Sequence, residues 1–201
     1  MRPVRLSMVA SEVGDDAGGA IASMADGGTS TVDGLTHLDG RGAAHMVGVG
    51  AKPETLRFAK ACARVAVSSE AMIRLQGDSL AKGDALAVAR IAGIAAAKRT
   101  ADLVPLCHPL RITRVALEAT LHPAESGAGE VVFIAIVEAV DRTGVEMEAM
   151  TSAMVAALTL YDMIKSVDRS AYIHDVRLLE KSGGKSGHFR AEISLPSPAG
   201  P

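Results

Sequence analysis

From Leu35 to about Phe189 the apolar positions fall into short periodic runs, each ended by Gly, Pro or a polar cluster. Residues Ala44 to Gly50 predict a short strand, and Pro53-Glu54-Thr55 predicts a helix start, because proline is tolerated at a first helical position. Ala63 to Val67 alternates as a strand does, and Ser69-Glu70 opens a short helix that ends near Gly77. The Ala/Gly-rich run from Ala85 to Thr100 reads as one tightly packed helix with Asp84 as its N-cap. Two β-rich segments follow, Ile112 to Leu121 and Glu130 to Val140, with the Pro/Gly/Ser stretch His122 to Gly129 as the hairpin loop between them. A long helix is expected from about Glu146 to Val167, with Thr151, Val155, Leu158, Asp162 and Lys165 recurring on one face. If that stripe faces the core, its two charges sit at the core's edge. A last strand, Tyr172 to Leu179, leads into a Gly/Ser/Lys segment. This order of elements predicts an α+β fold, an antiparallel sheet with helices on one side.

Composition narrows the picture. In 201 residues, 48% are apolar but only 2% aromatic, so the core is built from small aliphatic side chains. The formal net charge of −2 gives no global pull toward nucleic acid or an anionic membrane. No apolar run approaches the ~20 residues a membrane span needs. Two cysteines, Cys62 and Cys107, are too few for a disulfide framework and lack metal-site spacing, which suits a reducing cytosol and a cytoplasmic protein. Residues 1–34 are rich in Gly, Ala, Ser and Asp without a sustained period, and are expected to be a disordered extension. A single domain is expected over residues 35–190, with a tail at 191–201.

Chemistry concentrates in a few places. Pro105 and Pro109 bracket Leu106-Cys107-His108 and forbid helix there, which holds His108 on a stiff extended segment at a helix exit. A polar group on a short rigid connection suits binding or catalysis; equally, the prolines could merely shape a turn that His108 caps. Asp162 and Lys165, three apart, are helix-surface neighbours and read either as the rim of a cleft or as a solvated ion pair. Glu146 and Glu148 open the same helix, where acids also simply oppose the positive dipole end. The segment Lys181-Ser182-Gly183-Gly184-Lys185-Ser186-Gly187 can turn backbone N–H groups toward an anion. It is not a nucleotide-triphosphatase P-loop, because Leu179 stands where that motif needs its first glycine. With Lys82, Lys98, Arg99 and Lys165, the lysines of this loop suggest a heavily anionic small-molecule ligand.

Read together, these segments resemble the MoaC family of molybdenum cofactor biosynthesis. The matching stretches include Leu35-Thr36-His37-Leu38, Lys82-Gly83-Asp84, Ala89-Arg90-Ile91-Ala92-Gly93-Ile94, Ala96-Ala97-Lys98-Arg99-Thr100 and Leu106-Cys107-His108-Pro109-Leu110. They continue through Thr143-Gly144-Val145-Glu146-Met147-Glu148-Ala149, Leu158-Thr159-Leu160-Tyr161-Asp162-Met163, Val176-Arg177-Leu178-Leu179 and the Lys181–Gly187 segment. Together they span most of the chain.

The resemblance implies a ferredoxin-like α+β domain, assembled as a homohexamer of three dimers with the site at a dimer interface. It further implies a lyase that converts 3′,8-cyclo-7,8-dihydroguanosine 5′-triphosphate into cyclic pyranopterin monophosphate with release of pyrophosphate. Carried over by position, Asp162 matches the acid–base residue and Lys165 works beside it, with His108 and Lys82 as further catalytic positions. Leu106, Cys107, His108, Met147, Glu148, Glu146, Lys98 and Lys181 match substrate-binding positions. No protein metal site is implied, magnesium enters only with the triphosphate, and neither nucleic acid nor membrane is an expected partner. Two other classes compete with the enzyme: a nucleotide-binding module using the Lys181–Gly187 loop, and a purely structural oligomer. A binder tolerates neutralisation of Asp162, a scaffold tolerates loss of His108 too, and the enzyme tolerates neither.

Overall fold

Strand β1 (Thr55–Val67) is the spine of a five-stranded antiparallel sheet. The computed structural model describes residues 37–39, 41–77, 83–125 and 127–192. The chain divides into two units, up to Ala43 and from Ala44 onward. In the first, Asp39 Oδ1 accepts hydrogen bonds from Arg41 N at 2.9 Å and Ala43 N at 2.8 Å. The expected N-terminal extension 1–34, Lys82 and the tail beyond Glu192 lie outside the described residues.

The second unit runs β1, α1 (Ser69–Gln76), α2 (Ala85–Ala97), α3 (Thr100–Leu103), β2 (Ile112–Pro123), β3 (Gly129–Asp141), α4 (Glu146–Ile164), β4 (Tyr172–Ser182) and β5 (Phe189–Arg190). The sheet order is β2-β3-β1-β4-β5. This is the expected α+β, ferredoxin-like arrangement, in which two strand–helix–strand halves interleave. On β1 the residues Ala59, Ala61, Ala63, Val65 and Val67 are buried, and they pair in register with β3, for example Ala63 opposite Phe133 and Val65 opposite Val131. Side chains two apart share a face of a strand, so this single alternation packs the sheet against the helices.

Several expectations are corrected. Pro53 to Thr55 does not start a helix: the chain is extended there and enters β1, because a central strand between β3 and β4 overrides the helix preference of its Ala, Lys and Arg residues. Ala44 to Gly50 contributes one isolated bridge residue, as Gly48 and Gly50 interrupt any continuous ladder. The Ala-rich helix stops at Ala97, and Thr100 begins a separate turn of helix. The stripe Thr151, Val155, Leu158, Asp162 and Lys165 faces away from the core, with Leu158 56% exposed. The core face of α4 is instead Ala149, Ser152, Ala153, Ala156, Ala157, Leu160 and Ile164, all fully buried.

Those small side chains let the helices approach closely. A Cβ at Gly93 of α2 would lie 2.5 Å from Leu117 Cδ1 and 2.7 Å from the Ser152 carbonyl oxygen of α4. Gly93→Ala should therefore lower stability by about 1–3 kcal/mol through overpacking, although alanine is the better helix former. Chemical denaturation checks this; an unchanged or raised midpoint would show that the two helices have room between them.

Candidate active site

The first turn of α4 and the chain between α3 and β2 meet in one polar cluster. Pro105 and Pro109 keep Leu106 to Leu110 out of regular structure, as expected. The Cys107 thiol points at α4 and donates to Glu148 Oε1 at 3.6 Å. Glu148 is only 2% exposed, and its second oxygen has no hydrogen-bond partner among the described residues. Burial pushes the Glu148 carboxyl above its ordinary range, and neighbouring Glu146 adds to the shift. Burial and the Glu148 carboxylate together push the Cys107 thiol up to about 11. A thiol so raised stays protonated at neutral pH, in keeping with its donor contact to Glu148. His108 Nε2 lies 2.9 Å from the Val47 carbonyl oxygen, which can only accept, so Nε2 carries a proton and Nδ1 is left for other work.

Lys181, at the end of β4, joins this cluster from the other side. Its Nζ lies 3.1 Å from Glu146 Oε1 and donates to Ser186 Oγ at 2.8 Å. The loop that returns Ser186 to Lys181 turns through Gly183 at φ +98° and Gly184 at φ +73°, a region that residues with a Cβ rarely adopt. A Cβ at Gly184 would also collide with Arg57 Nη1. Arg57 is 7% exposed and was not singled out from the sequence, where it looks like one more surface cation on β1. Its Nε donates to the Asp141 carbonyl at 3.1 Å and its Nη2 to the Arg142 carbonyl at 2.9 Å. It therefore clamps the Gly loop to the turn that leads into α4, fixing Lys181 relative to Glu146.

Asp162 and Lys165 stand elsewhere. Glu148 and Asp162 are fourteen residues apart on one unbroken helix, about 21 Å at the standard rise. Asp162 Oδ1 and Lys165 Nζ form an exposed ion pair at 2.6 Å, and the contact with Asp162 raises the proton affinity of Lys165. Beside them is a cleft of about 350 Å³ lined by Tyr161, Lys165, Ser166 and Arg169. Tyr161, Ser166 and Arg169 were also missed; the exposed turn after the helix carries no periodic signal that would have flagged the last two. Thus the structure brings together Leu106, Cys107, His108, Glu146, Met147, Glu148 and Lys181 at one end of α4, and Asp162 with Lys165 at the other. Lys98 caps α2, and its exposed side chain makes no hydrogen bond or ion pair among the described residues. Among the described residues no group of three or more His, Cys, Asp or Glu side chains is placed to hold a metal ion.

The Cys107–Glu148 pair makes a direct prediction. A nearby negative charge disfavours the thiolate, so Glu148→Gln should lower the Cys107 titration midpoint from about 11 toward the ordinary thiol value. The rate of iodoacetamide labelling at Cys107, followed against pH by peptide mass spectrometry, measures this midpoint. A midpoint that stays put in Glu148→Gln would mean that the carboxylate does not face the thiol.

Comparison with known proteins agrees with the resemblance carried by the motifs. A MoaC family profile matches residues 46–184, which include every site residue above except Ser186. The chain is 54% identical over 160 residues to the cyclic pyranopterin monophosphate synthase of Cereibacter sphaeroides, covering 80% of this chain and 99% of that protein. It is 49% identical over 163 residues to the protein of the same name from Desulfitobacterium hafniense, covering 81% of this chain and 98% of that one. The corresponding figures for the Streptomyces griseus synthase are 55% over 161 residues, 80% and 88%. With a family profile over more than half its length and relatives matched almost end to end, the chain belongs to the MoaC family.

Proposed function

We propose that this chain is a cyclic pyranopterin monophosphate synthase of molybdenum cofactor biosynthesis. It takes 3′,8-cyclo-7,8-dihydroguanosine 5′-triphosphate, rearranges the purine-derived ring, closes a cyclic phosphate and releases pyrophosphate. The observation that carries this reading is the Asp162–Lys165 pair, 2.6 Å apart on the rim of a cleft with a second cation, in a chain of this family. Closing the cyclic phosphate requires a hydroxyl to lose its proton while charge develops on the departing pyrophosphate. Asp162 is the proposed acid–base group, with Lys165 ion-paired to its carboxylate. His108, with Nδ1 unused by the Val47 contact, and Lys82 are the further proposed proton-handling groups. Leu106, Cys107, His108, Met147, Glu148, Glu146, Lys98 and Lys181 are the proposed substrate-binding residues. The unpartnered Glu148 oxygen supports this, since a buried carboxylate left half satisfied is suited to an N–H donor of the ligand. The triphosphate is proposed to arrive with magnesium, held by its own phosphates.

The two ends of α4 are too far apart to act on one ring and one phosphate group. We infer that the site is completed by a second copy. Two α4 helices running antiparallel about a two-fold axis set the first turn of each against the last turn of the other, which is the simplest closed solution. The exposed Met154 and Leu158, near the middle of that helix face, supply apolar surface for such a contact. A homohexamer of three such dimers is the assembly proposed from the family. No described helix is long and apolar enough to cross a membrane, and the free cysteines Cys62 and Cys107 fit the proposed cytoplasmic location.

A single-turnover assay with the cyclic dihydroguanosine triphosphate, following product and pyrophosphate together, tests the assignment. Wild type should release both. Asp162→Asn should bind the substrate but lose about 100-fold or more in rate, the usual worth of a general acid–base group. Equal turnover by the variant would remove Asp162 from the mechanism, and absence of product from wild type would leave only a nucleotide-binding module.

A further inference from the structure

Arg169 is the uncommitted cation of the cleft at the end of α4. Its guanidinium makes no hydrogen bond or ion pair among the described residues, whereas Lys165 beside it is already engaged by Asp162. Ser166, on the same cleft wall, is likewise exposed and has no hydrogen-bond partner among the described residues. The turn that carries both is nonetheless held firmly. Asp168, 4% exposed, accepts hydrogen bonds from Ser68 N at 2.6 Å, Ser170 Oγ at 2.6 Å, Ser170 N at 3.0 Å and Ala171 N at 3.1 Å. Burial alone would raise the Asp168 carboxyl, but these donors hold it below its ordinary value, so it accepts them as a full anion. One buried carboxylate thus ties the turn after α4 to the start of α1 and leaves Arg169 projecting from a fixed base.

We propose that Arg169, with Ser166, binds the pyrophosphate portion of the triphosphate, the part that leaves. This rests on the proposed reaction and extends its site by two residues. An arginine fork matches two phosphate oxygens at once and stays charged at any working pH. Lys165, paired with a carboxylate, cannot supply that charge in full; Arg169 can. The leaving group would then sit in the cleft that Lys165 and Arg169 both line, beside the Asp162–Lys165 pair.

Inorganic pyrophosphate is the probe, titrated by calorimetry into the assembled full-length protein. Arg169→Ala should weaken pyrophosphate binding about tenfold or more, the usual loss for a charged hydrogen-bonding group. Arg169→Lys should recover only part of it, since an ammonium cannot fork. Arg74→Ala, which breaks only the pair with Glu70 on α1, should leave binding unchanged and serves as the control for a general loss of positive charge. The KM for the triphosphate should rise in parallel in Arg169→Ala. Equal pyrophosphate affinity in wild type and Arg169→Ala, or none in either, overturns the proposal. Because the titration requires no turnover, its result stands apart from that of Asp162→Asn: pyrophosphate binding can depend on Arg169 even where the lyase reaction fails, and the reverse.

Discussion

Between Gly93 and the Ser152 carbonyl there is no room for a methyl group, and that closeness governs the domain. Because α2 and α4 meet through Gly93, Ser152 and Ala156, α4 is pressed along its length against α2 and the sheet by residues with almost no side chain. Alanine contributes little apolar area per residue, so the core depends on close approach and dense packing more than on large side chains. A helix seated this way is held by close contact along its core face. Its two ends, Glu146 and Ile164, are thereby fixed in space, and the polar groups they carry are fixed with them.

Each end is then finished by different means. At the first turn, Arg57 clamps the Gly183–Gly184 turn to the chain entering α4, and Lys181 is delivered to Glu146. The Cys107 thiol closes on Glu148 from the proline-bounded segment; burial raises both proton affinities, and the Glu148 carboxylate adds to the rise at the thiol while the thiol's hydrogen bond partly offsets the rise at Glu148. At the last turn, buried Asp168 anchors the exit, and Asp162, Lys165 and Arg169 lie at the surface. One end is desolvated and suited to recognising a polar ring; the other is open and cationic, suited to phosphate. A single helix bearing both halves cannot fold them together, which is why the proposed site draws on two copies.

Much of this was legible in the residues themselves. The Asp84 cap, the Ser69 helix start, the β2–β3 hairpin and the start of α4 at Glu146 all follow from local rules and stand where expected. The start of β1 was not, because Pro53, Glu54 and an Ala/Lys/Arg-rich stretch look helical until the neighbouring strands are in place. Its real signal is the buried Ala59, Ala61, Ala63, Val65 and Val67 alternation, which is faint when most of its members are alanine. The same effect reversed the reading of α4: large residues marked Val155 and Leu158 as the obvious stripe, yet the core side is alanine and the large residues look outward. Site chemistry was easier to find than its geometry. His108 and Lys181 were flagged by punctuation and composition, and Cys107 and Glu148 by the family resemblance. The expected helix already set Asp162 fourteen residues from Glu148, but nothing in a linear chain announces that Arg57 is buried.

The central claim is that each site takes Glu148 from one subunit and Asp162 from another. Subunit mixing measures it directly. Glu148→Gln and Asp162→Asn proteins, each inactive alone, are co-expressed with different tags, the mixed assemblies are purified, and turnover is assayed. If the sites are shared, each mixed dimer holds one intact and one doubly altered site, and activity returns to about a quarter to a half of wild type. If both residues serve the same site within one chain, every site stays defective, and the mixed assemblies remain as inactive as their parents.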